Sequence, residues 1–105
     1  AAAAILTLIA LATIIVKTKV ADFSAWQRAF DANEAARKTY GWKSHTIARD
    51  PADPQAVTVV SQVGSLEQAR AFLQDPAVRA NMADATVLPG PPDVQFLDDW
   101  ATHTY

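Results

Sequence analysis

His45 and Arg49 stand in a stretch that alternates like a strand, with Ile47 between them, so all three side chains share one face. An imidazole can move a proton near neutral pH, and a guanidinium can hold an enolate or a carboxylate. Two readings are open for this pair. Either both side chains face a common cavity, or they face solvent or a second subunit, with Arg49 paired to Asp50 or Asp53. Arg37 poses a related problem. Between residues 22 and 41 an apolar helical stripe of Phe23, Trp26, Phe30 and Tyr40 is interrupted on its own face by Asn33 and Arg37. At about 100° per residue, Phe23, Trp26, Phe30, Asn33 and Arg37 fall within roughly a quarter-turn sector. A buried charge needs a partner. Either Arg37 reaches water near the helix end and pairs with Glu34, or this face lines a cavity that holds something polar.

The second possibility defines a candidate site. Arg37 and His45 are its catalytic candidates. Trp26 and Phe30 form an apolar wall, and Asn33, Tyr40 and Arg49 supply polar contacts. Late in a second helical stretch, Met82 packs and Asn81 reaches the cavity mouth, and both are ligand-binding candidates. Small-molecule pockets have this composition, mostly apolar with a few convergent polar groups.

The elements that must position these groups follow from periodicity. Ala12 to Val20 reads as a strand with Ile14, Val16, Thr18 and Val20 on one face and Thr13, Ile15, Lys17 and Lys19 on the other. Asp22 is placed to cap the helix of residues 22–41, and Gly41 to end it. Trp42 to Arg49 reads as a second strand, with Lys43, His45, Ile47 and Arg49 opposite Trp42, Ser44, Thr46 and Ala48. Prolines at 51 and 54 make Asp50 to Gln55 a loop. Ala56 to Val63 is a third strand with Val57, Val59 and Val63 in phase. Ser65 and Gln68 form a capping box that opens a helix through Leu66, Ala69, Phe72 and Leu73, and Asp75-Pro76 restarts it toward Val78 and Met82. Leu88 to Pro92 breaks the chain before a last strand around Val94, Phe96 and Leu97.

The order βαββαβ predicts an α+β, ferredoxin-like fold: a four-stranded antiparallel sheet with both helices on one face. The other face carries Ile15 and Leu97, too apolar for water, so two protomers are expected to close a dimeric α+β barrel. The aromatic tail of Trp100, His103 and Tyr105 suits a role at that interface.

Composition narrows the function. The 105 residues suffice for one domain, expected over 12–100, between an apolar extension at 1–11 and a tail at 101–105. There is no cysteine, which excludes disulfides, thiolate metal sites and a cysteine nucleophile. Nine basic against eleven acidic side chains, with no basic cluster, argue against a nucleic-acid partner. The two histidines lie far apart, so no metal site is expected. No phosphate loop and no nucleophile elbow is present. The sixteen uncharged residues before Lys17 are too few for a span of about twenty, and they lack the basic start and cleavage site of a secretory signal. They read as an extension extraneous to the fold, an arm on a partner subunit, or a targeting remnant. A cytoplasmic protein without membrane contact is expected.

Asp-Phe-x-x-Trp at residues 22–26, Arg-Asp-Pro at 49–51, Asp-Pro at 53–54 and Leu-Glu-Gln-Ala-Arg at 66–70, in this strand order, resemble the dimeric α+β barrel superfamily. Within it, the chain resembles the antibiotic-biosynthesis-monooxygenase-like proteins and the small cyclase-like proteins of pigment and polyketide pathways. The resemblance spans about residues 12–100 and rests on periodicity and turns rather than on a catalytic motif. It implies a homodimer with a ligand held between sheet and helices, commonly without metal or organic cofactor. The haem-degrading relatives use a histidine on the second helix and an asparagine on the first strand, and this chain has neither. The function expected is a cofactor-free cyclase, isomerase or oxygenase acting on an apolar aromatic or polyketide-like molecule. The alternatives are a non-catalytic small-molecule carrier and a structural dimerisation module.

Overall fold

A computed structural model describes residues 11–83, 87–88 and 93–105; the segment 1–10, most of the expected extension, lies outside them. Four strands, β1 (Ala12–Lys19), β2 (Trp42–Asp50), β3 (Asp53–Val63) and β4 (Asp93–Asp98), form one sheet in the order β2-β3-β1-β4, and every pairing is antiparallel. Ile14 of β1 lies opposite Ser61 of β3 and Phe96 of β4, and His45 of β2 lies opposite Ser61 from the other side. Because side chains alternate across a sheet, this register gathers Ala12, Ile14, Val57, Val59, Ser61 and Val63 on one buried face. The helices cover that face, giving the predicted ferredoxin-like α+β arrangement.

Each of the two predicted helices is broken into a pair. Asp22 caps α1 (Phe23–Ala32), its carboxylate accepting from the Ala25 amide at 3.2 Å. The helix does not run on to residue 41. It stops at Asn33, where the amide donates to the Phe30 carbonyl at 3.1 Å, and resumes as α2 (Glu34–Thr39). Gly41 then reverses the chain at φ +87°, a region that side-chain-bearing residues avoid. The Ser65 hydroxyl caps α3 (Leu66–Gln74) by accepting from the Gln68 amide at 3.0 Å, and Asp75-Pro76 opens α4 (Pro76–Ala83) as the sequence predicts. One core cluster packs Trp26 against Val20, Val57 and Val59, and a second packs Ala69 against Ala12, Ile14 and Val63.

Two local expectations are corrected. The predicted loop at 50–55 is a tight hairpin that turns on Pro51 and Ala52, with Asp50 accepting from the Ala52 amide at 2.8 Å and Asp53 from the Gln55 amide at 3.2 Å. Pro54 is tolerated inside β3 because the β2–β3 register shifts between Arg49 and Asp50, and a bulge spares it a ladder hydrogen bond. A second shift, between Trp42 and Ser44, makes Lys43 the extra residue. Trp42 is thereby moved to the helix-covered face, against Phe72 with ring centroids 4.5 Å apart, rather than staying with Ser44, Thr46 and Ala48.

The opposite sheet face is part polar, part apolar. Thr13 and Gln62 both donate to the Asp99 carboxylate, while Val60 and Leu97 are exposed and Ile15 is half-buried. In the tail, Trp100 and Tyr105 are fully exposed.

The end of α2 is tied to the break between α3 and α4 by the Tyr40 hydroxyl, which donates to Asp75 at 2.7 Å. The bond holds the Asp75 carboxyl below its ordinary 3.8 and raises the Tyr40 phenol above its ordinary 10.0. A depressed carboxyl contributes stability that is lost as pH falls through its folded value, and a raised phenol contributes stability that is lost as pH rises through its own. Tyr40→Phe is therefore expected to lower the Tm at neutral pH. The gap to the parent should close below pH 3.8 and above pH 10, checked by thermal melts across that range; a pH-independent gap would mean that the bond is not the cause.

Candidate ligand-binding site

The apolar stripe of α1 builds a row of stacked rings. Phe23 and Trp26 lie 5.7 Å apart between centroids, and Trp26 and Phe30 lie 5.2 Å apart. A guanidinium closes each end of the row: Arg49 sits 4.3 Å over Phe23, and Arg37 sits 3.8 Å over Phe30. Arg37 is only 4% exposed. Its Nη1 donates to the Phe30 carbonyl at 2.6 Å, and among the described residues it forms no ion pair. Burial pulls its pKa below the ordinary 12.5, while the nearby charges of Asp31 and Glu34 pull the other way. The guanidinium remains a cation, held by a carbonyl and a ring face rather than by a carboxylate.

Asn33, 3% exposed, uses both ends of its amide. Its Nδ2 donates to the Val78 carbonyl at 3.3 Å, and its Oδ1 accepts from Asn81 Nδ2 at 2.7 Å. These bonds tie the α1–α2 junction to α4. They also give a physical reason for the break, since a short polar side chain with strong partners elsewhere competes with helix continuation.

Under this roof lies a cavity of about 240 Å3. Ile14, Val16, Thr18, Val59 and Ser61 form its floor on β1 and β3; Trp26, Phe30, Phe72, Leu73, Val78, Met82 and Val87 form much of its wall, and Asn33, Arg37 and Trp42 complete it. No carboxylate or imidazole is among these lining residues. Arg37 and Trp42 are also walls of a second, outward-facing groove of about 360 Å3, which Glu34, Lys38, Lys43, Ser44 and His45 complete. A third cleft, of about 780 Å3 at the far end of the sheet, contains Lys17, Lys19, Arg49, Asp50 and Asp93. Its charges are balanced in place: Lys19 pairs with Asp53 at 3.1 Å, and Lys17 lies opposite Asp93.

The structure thus gathers Trp26, Phe30, Asn33, Arg37 and Met82 on one cavity. The other candidates lie elsewhere. His45 lies behind Phe30, edge-on at 5.0 Å between centroids, and opens on the groove. Arg49 shares His45's sheet face but is drawn to Phe23 and the far cleft, so the two do not share a cavity. Tyr40 is committed to Asp75 and Phe72, and Asn81 to Asn33. Sequence reasoning passed over Ser61 and Trp42. Ser61 is in phase with Val57, Val59 and Val63, which would have found it; Trp42 is concealed by a bulge that no local pattern announces. Among the described residues, no group of three or more His, Asp or Glu could hold a metal ion, and no helix is long and apolar enough to cross a membrane.

In fold the chain is similar to several solved structures of antibiotic biosynthesis monooxygenases. A protein from Bordetella bronchiseptica, provisionally named an antibiotic biosynthesis monooxygenase, matches with TM-score 0.73 at 13% identity, over 88% of this chain and 99% of that one. SnoaB, a cofactor-independent oxygenase from Streptomyces nogalater, matches with TM-score 0.68 at 13% identity, over 90% and 96%. The monooxygenase from the ActVA-Orf6 gene of Streptomyces coelicolor, in complex with nanaomycin D, matches with TM-score 0.65 at 18% identity, over 92% and 94%. At these identities the likeness is one of fold. No protein-family profile matches the chain, and no curated relative does.

Removing a buried charge that lacks a carboxylate partner costs little once its desolvation is relieved. Arg37→Met is expected to leave the fold intact, with stability within about 1 kcal/mol of the parent in urea unfolding. A loss of several kcal/mol would show that the Phe30 carbonyl contact is a principal structural bond.

Proposed function

We propose that the protein is a cofactor-free oxygenase whose substrate is a small, acidic, apolar molecule bound in the cavity beneath α1, α2 and α4. The observation that carries this reading is Arg37, a buried cation that forms no ion pair among the described residues, at the edge of a largely apolar chamber. A site of this kind stabilises negative charge that develops on a bound ring system, because a fixed cation in a water-poor chamber acts far more strongly than one in water. The oxygenase names carried by SnoaB and by the ActVA-Orf6 protein favour oxygenation over cyclisation or isomerisation.

In this reaction a methylene flanked by aryl or carbonyl groups loses a proton, and the resulting enolate is held by Arg37. It then reacts with dioxygen: one oxygen atom becomes the new carbonyl, and the other leaves as water with the two hydrogens of the methylene. The substrate supplies all four electrons that dioxygen requires. His45, on the groove that shares Arg37 and Trp42 with the cavity, is the candidate to receive that proton, relayed by water, since no acid or base is among the described lining residues. Two copies pack through the sheet faces that carry Ile15, Val60 and Leu97, closing the dimeric barrel.

Oxygen uptake with 2-tetralone, a two-ring ketone with an acidic methylene, tests the chemistry. Chelator-treated protein should accelerate uptake over buffer, and Arg37→Met should reduce kcat/KM at least about tenfold, the scale of one lost charge contact. A second reading, a non-catalytic carrier, is favoured by the absence of any acid or base among the described lining residues; binding of 2-tetralone without oxygen uptake would establish it. Light scattering at micromolar concentration should give twice the chain mass of 11.3 kDa. A monodisperse monomer would remove the barrel.

A further inference from the structure

The cavity and the outward groove share two walls, Arg37 and Trp42, so the buried guanidinium stands between an apolar chamber and the surface. The charge around the groove is unbalanced. Arg37, Lys38 and Lys43 face a single carboxylate, Glu34, and among the described residues none of the three cations forms an ion pair. Lys43 owes its place there to the bulge between Trp42 and Ser44. The cavity itself is small. Its volume of about 240 Å3 exceeds the roughly 150 Å3 of a dry apolar cavity that takes up benzene, and falls short of the roughly 300 Å3 at which drug-sized ligand pockets begin. Scaled from benzene, that space suits a body of two fused rings better than one of three.

We propose that the ligand of this site is a two-ring aromatic acid whose ring body fills the cavity and whose carboxylate passes between Arg37 and Trp42 into the cationic groove formed with Lys38 and Lys43. This rests on the cavity being the substrate site, and it assigns the groove as a separate anion subsite. Arg37 bridges the two. It meets the ring body on its cavity side and the acid arm on its groove side, which gives a buried arginine a use that no protein carboxylate has pre-empted. The lysines, outside the chamber, act on affinity for the acid rather than on the reacting carbon.

Calorimetric titration with four probes tests the assignment: 2-naphthylacetate, neutral 2-ethylnaphthalene, benzoate, and the three-ring anthracene-2-carboxylate. The parent should bind 2-naphthylacetate at least tenfold more tightly than any of the others. The double variant Lys38→Gln/Lys43→Gln should lose about tenfold for 2-naphthylacetate, as expected for two partly exposed charge contacts, with weaker salt dependence and no change for 2-ethylnaphthalene. Circular dichroism and urea melts of the variant establish that it folds. Equal binding of acid and neutral probe, equal binding of the three-ring acid, an unaffected double variant, or no binding of any probe would each overturn the proposal. Tight, lysine-dependent binding of 2-naphthylacetate by a protein that takes up no oxygen with 2-tetralone leaves the ligand class standing and removes the oxygenase reading. Oxygen uptake together with indifference to charge does the reverse.

Discussion

Keeping the Arg37 guanidinium charged inside an apolar wall requires an acceptor that a continuous helix would not spare. The break at Asn33 provides it. With α1 ended at Ala32, the Phe30 carbonyl accepts both the Asn33 amide and Arg37 Nη1, and the Phe30 ring lies beneath the same guanidinium. One turn of irregular backbone thus serves as counter-dipole for a buried cation. The bend of the roof and the place of Arg37 at the cavity's edge follow from that arrangement. A carboxylate at the same place would have neutralised the charge more strongly.

The roof is held by polar contacts that bridge elements distant in sequence. Asn33 reaches Val78 and Asn81, and Tyr40 reaches Asp75, so each break in one helical pair is tied to the other pair by a hydrogen bond. The floor is different in kind: β1 and β3 present Ile14, Val59 and Ser61 as a buried layer. A rigid floor beneath a polar-stapled roof allows the chamber to be shaped by the roof alone, through Trp26, Phe72, Val78 and Met82.

Periodicity carried the sheet and the face that β1 and β3 bury, because alternation in Ile14-Val16-Thr18 and Val57-Val59 leaves one solution for the register once a single face must be covered. Resemblance in turns and order carried the fold, which the similar solved structures share. The stripe of α1 located the wall and its intruding Asn33 and Arg37. The break itself was not legible, since Asn33 is compatible with a helix until its partners on α4 are known. Nor was the separation of His45 from Arg49, which depends on Phe30 and Phe23 each drawing one of them aside. Trp42 was assigned to the wrong face because a single extra residue, Lys43, reverses the alternation from that point.

The edge strand β2 has a further bearing on how the molecule can associate. A free edge offers unpaired amides and carbonyls to any passing strand, and long flat edges recruit neighbours without limit. Here the nine-residue edge carries a register shift at each end and is studded with Lys43, Arg49 and Asp50. Twist and charge together spoil it as a template for a fifth strand. Growth along the hydrogen-bonding direction is disfavoured on that side. Edge irregularity that looks local therefore makes open-ended filaments through β2 unfavourable.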